Sequence, residues 1–255
     1  MKCLPRILSL LSGEETFCLA TILVSAVPGS AGGQKAIVRP DGSMEGDSWP
    51  EAFSAALRAL ALEALTAGQC GSAEVEPGAL AFFDIISPAP SLLICGAGHI
   101  ALPLARFAGE AGFSVTVLDD RPDFASQARF PGCTVIAEGF TPALRGLPFG
   151  PSSYAVVITR GHEHDTECLE EILPKQTAYT GLIGSRRRVA FVLETLAGKG
   201  IPRGRLEEVF TPIGLPIGSE SPEEIALSIA AELVCVRRRG AAAARALRPA
   251  PGGPK

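Results

Sequence analysis

An α/β fold is the class that the sequence predicts: a parallel sheet covered by helices on both faces, preceded by a smaller α+β unit. Three observations carry it. From residue 91 onward, short apolar runs alternate with helix-length segments, the pattern of strands buried on both faces. The first of these runs, "SLLIC", leads through "GAG" into a helical segment, in the order strand, glycine turn, helix. Ahead of them, "TFCLATILVSA" and "KAIVRP" read as strands of a separate unit that ends at the proline-punctuated "SPAPS". With 255 residues, 47% of them apolar and 20% charged, the chain has enough material for one large domain or two ordinary ones.

Taken in order, residues 1–86 form the small N-terminal domain. "MKCLPRILSLLSGEE" reads as a short amphipathic helix; Pro5 interrupts its apolar run and no small-residue cleavage pattern follows, so it is not expected to be an export signal. Strands are predicted over 16–26, 35–40 and 79–86, with "PDGS" at 40–43 as a tight turn. A helix is predicted over 48–68, where Ser48 is the N-cap, Pro50 sits in the first turn, Glu51 complements the dipole and Gly68 stops it. Residues 87–91 are a linker. In the second domain, 92–239, strands at 91–95, 114–118, 133–136, 154–159, 178–182 and 207–211 alternate with helices near 99–111, 165–173, 186–199 and 222–238. Ser221, Pro222 and Glu224 supply the cap of the last helix. The remainder, 240–255, is low in complexity and is expected to be a disordered tail.

The glycine turn has the spacing of a dinucleotide fingerprint, the mark of a Rossmann-like domain, with Gly96, Gly98 and Ala101 in the form GxGxxA. Gly96 lets the chain turn sharply out of the strand, Gly98 lets backbone approach a phosphate, and Ala101 keeps the helix close to the sheet. The helix N-terminus then offers unpaired N–H groups to an anion. The strand "SVTVL" runs into Asp119 and Asp120, and Asp119 stands 21 residues after Gly98, where the fingerprint expects a ribose-binding carboxylate. The plainer reading, in which the glycines serve only the turn and the acid only ends a strand, stays open. His99 is either an exposed helix-start residue or a ligand contact.

The segment "TRGHEHD" brings Arg160, Gly161, His162, His164 and Asp165 to the carboxyl end of a predicted strand, where ligands bind in parallel α/β sheets. A metal site needs three or four ligands, and Cys168 follows without a paired cysteine, so the cluster reads as a ligand-contacting edge rather than a metal centre. Asp165 reads as the N-cap of the next helix. In "GLIGSRRRV", Gly184 closes a tight turn, Ser185 caps, and three arginines follow at a helix start, where the dipole disfavours cations unless an anion binds. Consecutive positions point about 100° apart, so one or two of the three face a ligand, with Arg186 as first choice. The arginines of "VRRRG" fall at a helix end and read as structural.

A formal net charge of −4 argues against a general nucleic-acid or anionic-membrane binder. Seven scattered cysteines without a CxxC pair fit a reduced, cytoplasmic protein. No run approaches the ~18 apolar residues of a transmembrane helix.

Together "CGAGHIALPLA", "VTVLDDRPDFA", "VITRGHEHDTECL", "YTGLIGSRRRV" and "PIGLPIGSESPEEIALSIAAEL", in that order, resemble the XdhC/CoxI family, accessory proteins of molybdenum hydroxylases such as xanthine dehydrogenase. The resemblance implies a Rossmann domain behind an XdhC/CoxI-like N-terminal domain. It also implies a non-catalytic chaperone that binds molybdenum cofactor (molybdopterin) as cargo, protects it during sulfuration and inserts it into an apo molybdenum hydroxylase. A cysteine desulfurase is a further expected partner, and a homodimer is left open. The cofactor-binding candidates are Gly96, Gly98, His99, Ala101, Asp119, Asp120, Arg160, Gly161, His162, Gly184, Ser185 and Arg186, with no catalytic or metal-ligating residue. The N-terminal likeness is weaker: where many members continue with Gly-Gly-Cys and a nearby acid, this chain reads "EGDSWPEAF". Two other readings stand beside it. An NAD(P)-dependent oxidoreductase rests on Gly96, Gly98, Ala101 and Asp119 with His162 as proton donor, and a metal-dependent hydrolase rests on His162, His164 and Asp165.

Overall fold

The computed structural model describes residues 4–12 and 15–248, divided into two compact units, Met1–Pro88 and Ala89–Lys255. The first is an antiparallel sheet with one long helix. Its elements are α1 (Leu4–Ser12), β1 (Phe17–Ser25), β2 (Lys35–Val38), β3 (Met44–Gly46), α2 (Glu51–Ala67), β4 (Gly71–Glu76) and β5 (Ala79–Ile86), with strands in the order β3-β2-β1-β5-β4. Alternation along the strands sends Ala20 and Ile22 of β1 and Ala79, Ala81 and Phe83 of β5 to the face that α2 covers with Phe53, Leu57 and Ala61. Helix α2 starts after Pro50 rather than at Ser48, and Gly68 ends it with φ +65°, a left-handed cap. Strands β3 and β4 were not expected from the sequence. The polar "GSAEVE" of β4 is an edge strand pairing β5, where a single face needs apolar residues.

The second unit is the Rossmann-like domain. Its elements are β6 (Ser91–Cys95), α3 (Ala101–Glu110), β7 (Ser114–Leu118), β8 (Thr134–Ile136), α4 (Phe140–Gly146), β9 (Ser153–Val157), α5 (His162–Ile172), β10 (Tyr179–Leu182), α6 (Arg186–Gly198), α7 (Arg203–Glu207) and α8 (Pro222–Ala246). The five strands are parallel, in the order β10-β9-β6-β7-β8. The chain therefore begins in the middle, builds outward to β8, then crosses back to continue on the other side of β6. That reversal opens a crevice beyond the carboxyl ends of β6 and β9. Period-two alternation explains the two cores: Leu92 and Ile94 face the side of α3 and α8, while Leu93 and Cys95 face the side of α4, α5 and α6.

Two expectations are corrected. Residues 207–211 make no strand; only Phe210 bridges Gly181, exchanging main-chain hydrogen bonds with Thr180 and Leu182. The segment from 240 is not a disordered tail as far as it is described. Gly240 breaks the helix with φ +80° and ψ 164°, and residues 241–246 then turn helical again. Ala244 is buried, the Arg245 guanidinium lies 4.1 Å from the Phe210 ring centroid, and Arg248 pairs with the fully buried Glu232. Residues 249–255 lie outside the described residues. No helix among the described residues is long and apolar enough to cross a membrane.

Candidate functional site

The carboxyl edge of the parallel sheet brings together four segments: the β6–α3 turn, the end of β7, the β9–α5 turn and the start of α6. At the first, Gly96 has φ +111°, and a Cβ there would lie 2.5 Å from the Ile158 carbonyl oxygen. Only glycine lets this turn pass so close to the end of β9. Gly98 is different, since a Cβ there would meet nothing within 4 Å, and the open space is what an approaching phosphate needs. His99 is exposed, Ala101 is in the core between helix and sheet, and Pro103 falls in the first turn of α3, where it is tolerated.

The acid expected to bind a ribose does something else. Asp119 is 1% exposed, and its Oδ2 accepts the Ala97 N–H at 2.8 Å. Its Oδ1 accepts the Arg121 N–H at 3.0 Å, and the Arg121 guanidinium binds both oxygens at 2.8 and 2.9 Å. Burial alone would raise its pKa, but the Arg121 side chain and the two backbone donors outweigh burial and hold it low. On the other side of the same residue, Arg129 Nη1 donates to the Ala97 oxygen at 3.0 Å. Asp119 thus serves the glycine turn from within, and the expectation that it faces a ribose is corrected on that ground.

Asp120 pairs instead with Arg160, Nη1 to Oδ1 at 2.5 Å and Nη2 to Oδ2 at 2.8 Å, joining the end of β7 to the end of β9. The Arg160 hydrogen bonds lower the Asp120 pKa from 3.8 to about 2. Next to this pair α5 begins earlier than expected. Gly161, with an extended backbone, is its N-cap, so His162, Glu163, His164 and Asp165 form its first turn. Asp165 is therefore not the N-cap. It is fully buried, accepting from Thr159 Oγ1 at 2.6 Å and from Arg188 Nε at 2.6 Å, and Arg188 also donates to the Thr159 oxygen at 3.1 Å. Burial pushes the Asp165 pKa up against both partners.

The two histidines diverge on this turn. His162 is exposed, whereas His164 packs on the Phe140 ring at 5.3 Å and reaches Glu167 at 3.4 Å. No group of three or more His, Cys, Asp or Glu side chains among the described residues is placed to hold a metal ion. At α6, Gly184 precedes Ser185, which caps the helix by accepting the Arg188 N–H at 3.3 Å. Of the three arginines, Arg188 turns inward to Asp165, while Arg186 and Arg187 are exposed and make no ion pair or hydrogen bond among the described residues. The structural partners Arg129 and Arg188 were not found from the sequence, because each binds a group whose position depends on the folded sheet; Arg121 pairs locally with Asp119, a contact that the fingerprint spacing hides.

Residues 92–233 match the model of the XdhC Rossmann domain. The chain belongs to the XdhC family. It is 37% identical over 159 residues to a probable xanthine dehydrogenase subunit of Bacillus subtilis, covering 62% of this chain and 46% of that protein. A second relative, "Uncharacterized protein YqeB" of Escherichia coli, is 32% identical over 158 residues, covering 61% of this chain and 29% of that one. A crystal structure of a xanthine dehydrogenase from Bacillus halodurans superposes with a TM-score of 0.68 at 27% identity, over 93% of this XdhC chain and 65% of the other. The chain thus spans less than half the length of the curated relatives it matches. The matched residues include every segment of the edge just described.

Proposed function

We propose that this XdhC chain is an accessory factor of a molybdenum hydroxylase of the xanthine dehydrogenase kind. In this reading it binds molybdenum cofactor as cargo, holds it for sulfuration by a cysteine desulfurase, and inserts it into the apo-hydroxylase. The observation that carries the reading is the division of labour at the sheet edge. All three aspartates there are spent on structure: Asp119 on Ala97 and Arg121, Asp120 on Arg160, and Asp165 on Thr159 and Arg188. What faces outward is rich in donors: open space at Gly98, exposed His99 and His162, and the unpaired Arg186 and Arg187 at a helix start, with exposed Glu163 beside His162. Such an edge suits an anionic ligand. The relatives' names supply the partner class. The oxidoreductase alternative draws no support from Asp119, whose carboxylate has no free direction for a ribose hydroxyl.

The test is cofactor retention by protein purified from cells that make the cofactor, followed by reconstitution of an apo-hydroxylase. Losing a charge-assisted contact to phosphate costs roughly 1.5–3 kcal/mol, so Arg186→Ala is expected to weaken retention about ten- to a hundredfold. Arg238→Ala, exposed just before the Gly240 break in α8, is expected to change nothing. Equal retention and equal reconstitution by wild type and both variants would refute the site. Tight nicotinamide binding without cofactor binding would move the assignment to an oxidoreductase.

A further inference from the structure

Beside the arginines of α6 stand two exposed rings that belong to different elements. The His162 imidazole, in the first turn of α5, and the Phe191 ring of α6 meet edge to face, with centroids 5.2 Å apart and planes at 89°. Phe191 is 52% exposed. It is not there to build the core, which α6 supplies with Val189, Val192 and Leu196. On an α-helix residues four apart share a face, so Phe191 lies one turn along from Arg187, whose guanidinium is exposed and unpaired among the described residues. An open aromatic surface next to a free cation at a helix start matches a ligand that has both a flat ring and an anionic group.

We infer that the exposed Phe191 ring, with the His162 imidazole set edge to face against it, forms a stacking platform for a planar heteroaromatic ring, with Arg187 at its head joining Arg186 on the phosphate that the ring carries. The inference rests on the cargo reading above, under which the ring is the pterin; a nucleotide base shares the same chemistry. Stacking on an aromatic side chain tolerates different rings, and the phosphate fixes which end of the ligand meets Arg187. The exposed position of Phe191 lets it be replaced without opening the core.

The experiment is a fluorescence titration of the purified full chain with 6-hydroxymethylpterin, its monophosphate, and AMP. Phe191→Ala is expected to raise the Kd for both pterins about five- to tenfold, and Phe191→Tyr to restore it. Arg187→Ala is expected to raise the Kd for the monophosphate but not for the unphosphorylated pterin. Leu227→Ala, a comparably exposed residue of α8, is the control and should match wild type. Unchanged pterin affinity in Phe191→Ala, or no pterin binding by wild type, would overturn the platform. A Phe191-dependent loss for AMP alone would assign it to a nucleotide and overturn the pterin reading. Intact cofactor delivery by Phe191→Ala with unchanged pterin affinity would sink the platform and leave the delivery function standing. A Phe191-dependent pterin affinity in a protein that fails reconstitution would do the reverse.

Discussion

Alanine at Gly96 is expected to destabilise the second unit, whereas alanine at Gly98 is not. At Gly96 the backbone has φ +111°, and the new Cβ would lie 2.5 Å from the Ile158 oxygen and 2.9 Å from its carbonyl carbon. That main chain cannot simply retreat, because the Ile158 N–H donates to the Cys95 oxygen at 2.9 Å and holds the end of β9 to β6. A side chain forced into so unfavourable a backbone region costs about 1–3 kcal/mol. Disturbing the buried hydrogen bond adds about 1–3 kcal/mol more. A total near 3 kcal/mol corresponds to a fall in Tm of roughly 6–12 °C for a unit of this size. At Gly98 nothing stands within 4 Å, so the change should stay within about 0.5 kcal/mol. Thermal unfolding by far-UV circular dichroism should show the Gly96→Ala shift. A Gly96→Ala protein as stable as wild type, or equal losses in the two variants, would refute the steric argument.

Replacing Arg188 leaves the fully buried Asp165 with Thr159 as its remaining partner, so Arg188→Ala should cost about 3 kcal/mol in chemical denaturation, and adding Asp165→Asn should recover part of it. A loss below about 1 kcal/mol, or no recovery in the double variant, would contradict the pairing. The Asp120 carboxyl, with its pKa lowered from 3.8 to about 2, contributes stability that is present above pH 3.8 and is lost as the pH falls toward 2. In Arg160→Ala its titration midpoint, followed by carboxyl NMR, should return toward 3.8; a midpoint that stays near 2 would mean Arg160 is not the cause.

How far the sequence discloses this molecule depends on the range of the forces involved. The strand 114–118 and the helix opening at Arg186 are readable because an apolar run and a serine cap are local signals. Strand β4 is hidden because the alternation in "GSAEVE" is weak on an edge that faces solvent. The helix beginning at His162 is concealed by its polar first turn. Asp165 looks like a cap until Arg188, 23 residues on, is seen to neutralise it from another helix. At Asp119 the reason differs: its spacing from Gly98 is that of a ribose contact, yet Arg121, two residues on, occupies the carboxylate instead. The resumption of helix after Gly240 is likewise set by distant contacts, with Phe210 and Glu232, which give an alanine-rich stretch something to hold. Glycine spacing and charge placement thus locate the edge, while the long-range pairings of Asp120 with Arg160 and Asp165 with Arg188 require the folded sheet.

Ala97, gripped at its N–H by Asp119 and at its oxygen by Arg129, also bears on how the proposed cargo would leave. A loop that ordered only around its ligand would gain freedom on release, and the ligand's departure would be tied to local melting. Here Asp119 and Arg129 hold the turn from within the protein, so under the proposed cargo role loading and unloading would pass through the same rim. In that proposal affinity rests on the exposed side chains at the rim, His99, His162, Arg186 and Arg187. A receiving protein that competed for the anionic group at those few positions would then withdraw the proposed cargo stepwise, without unfolding that turn.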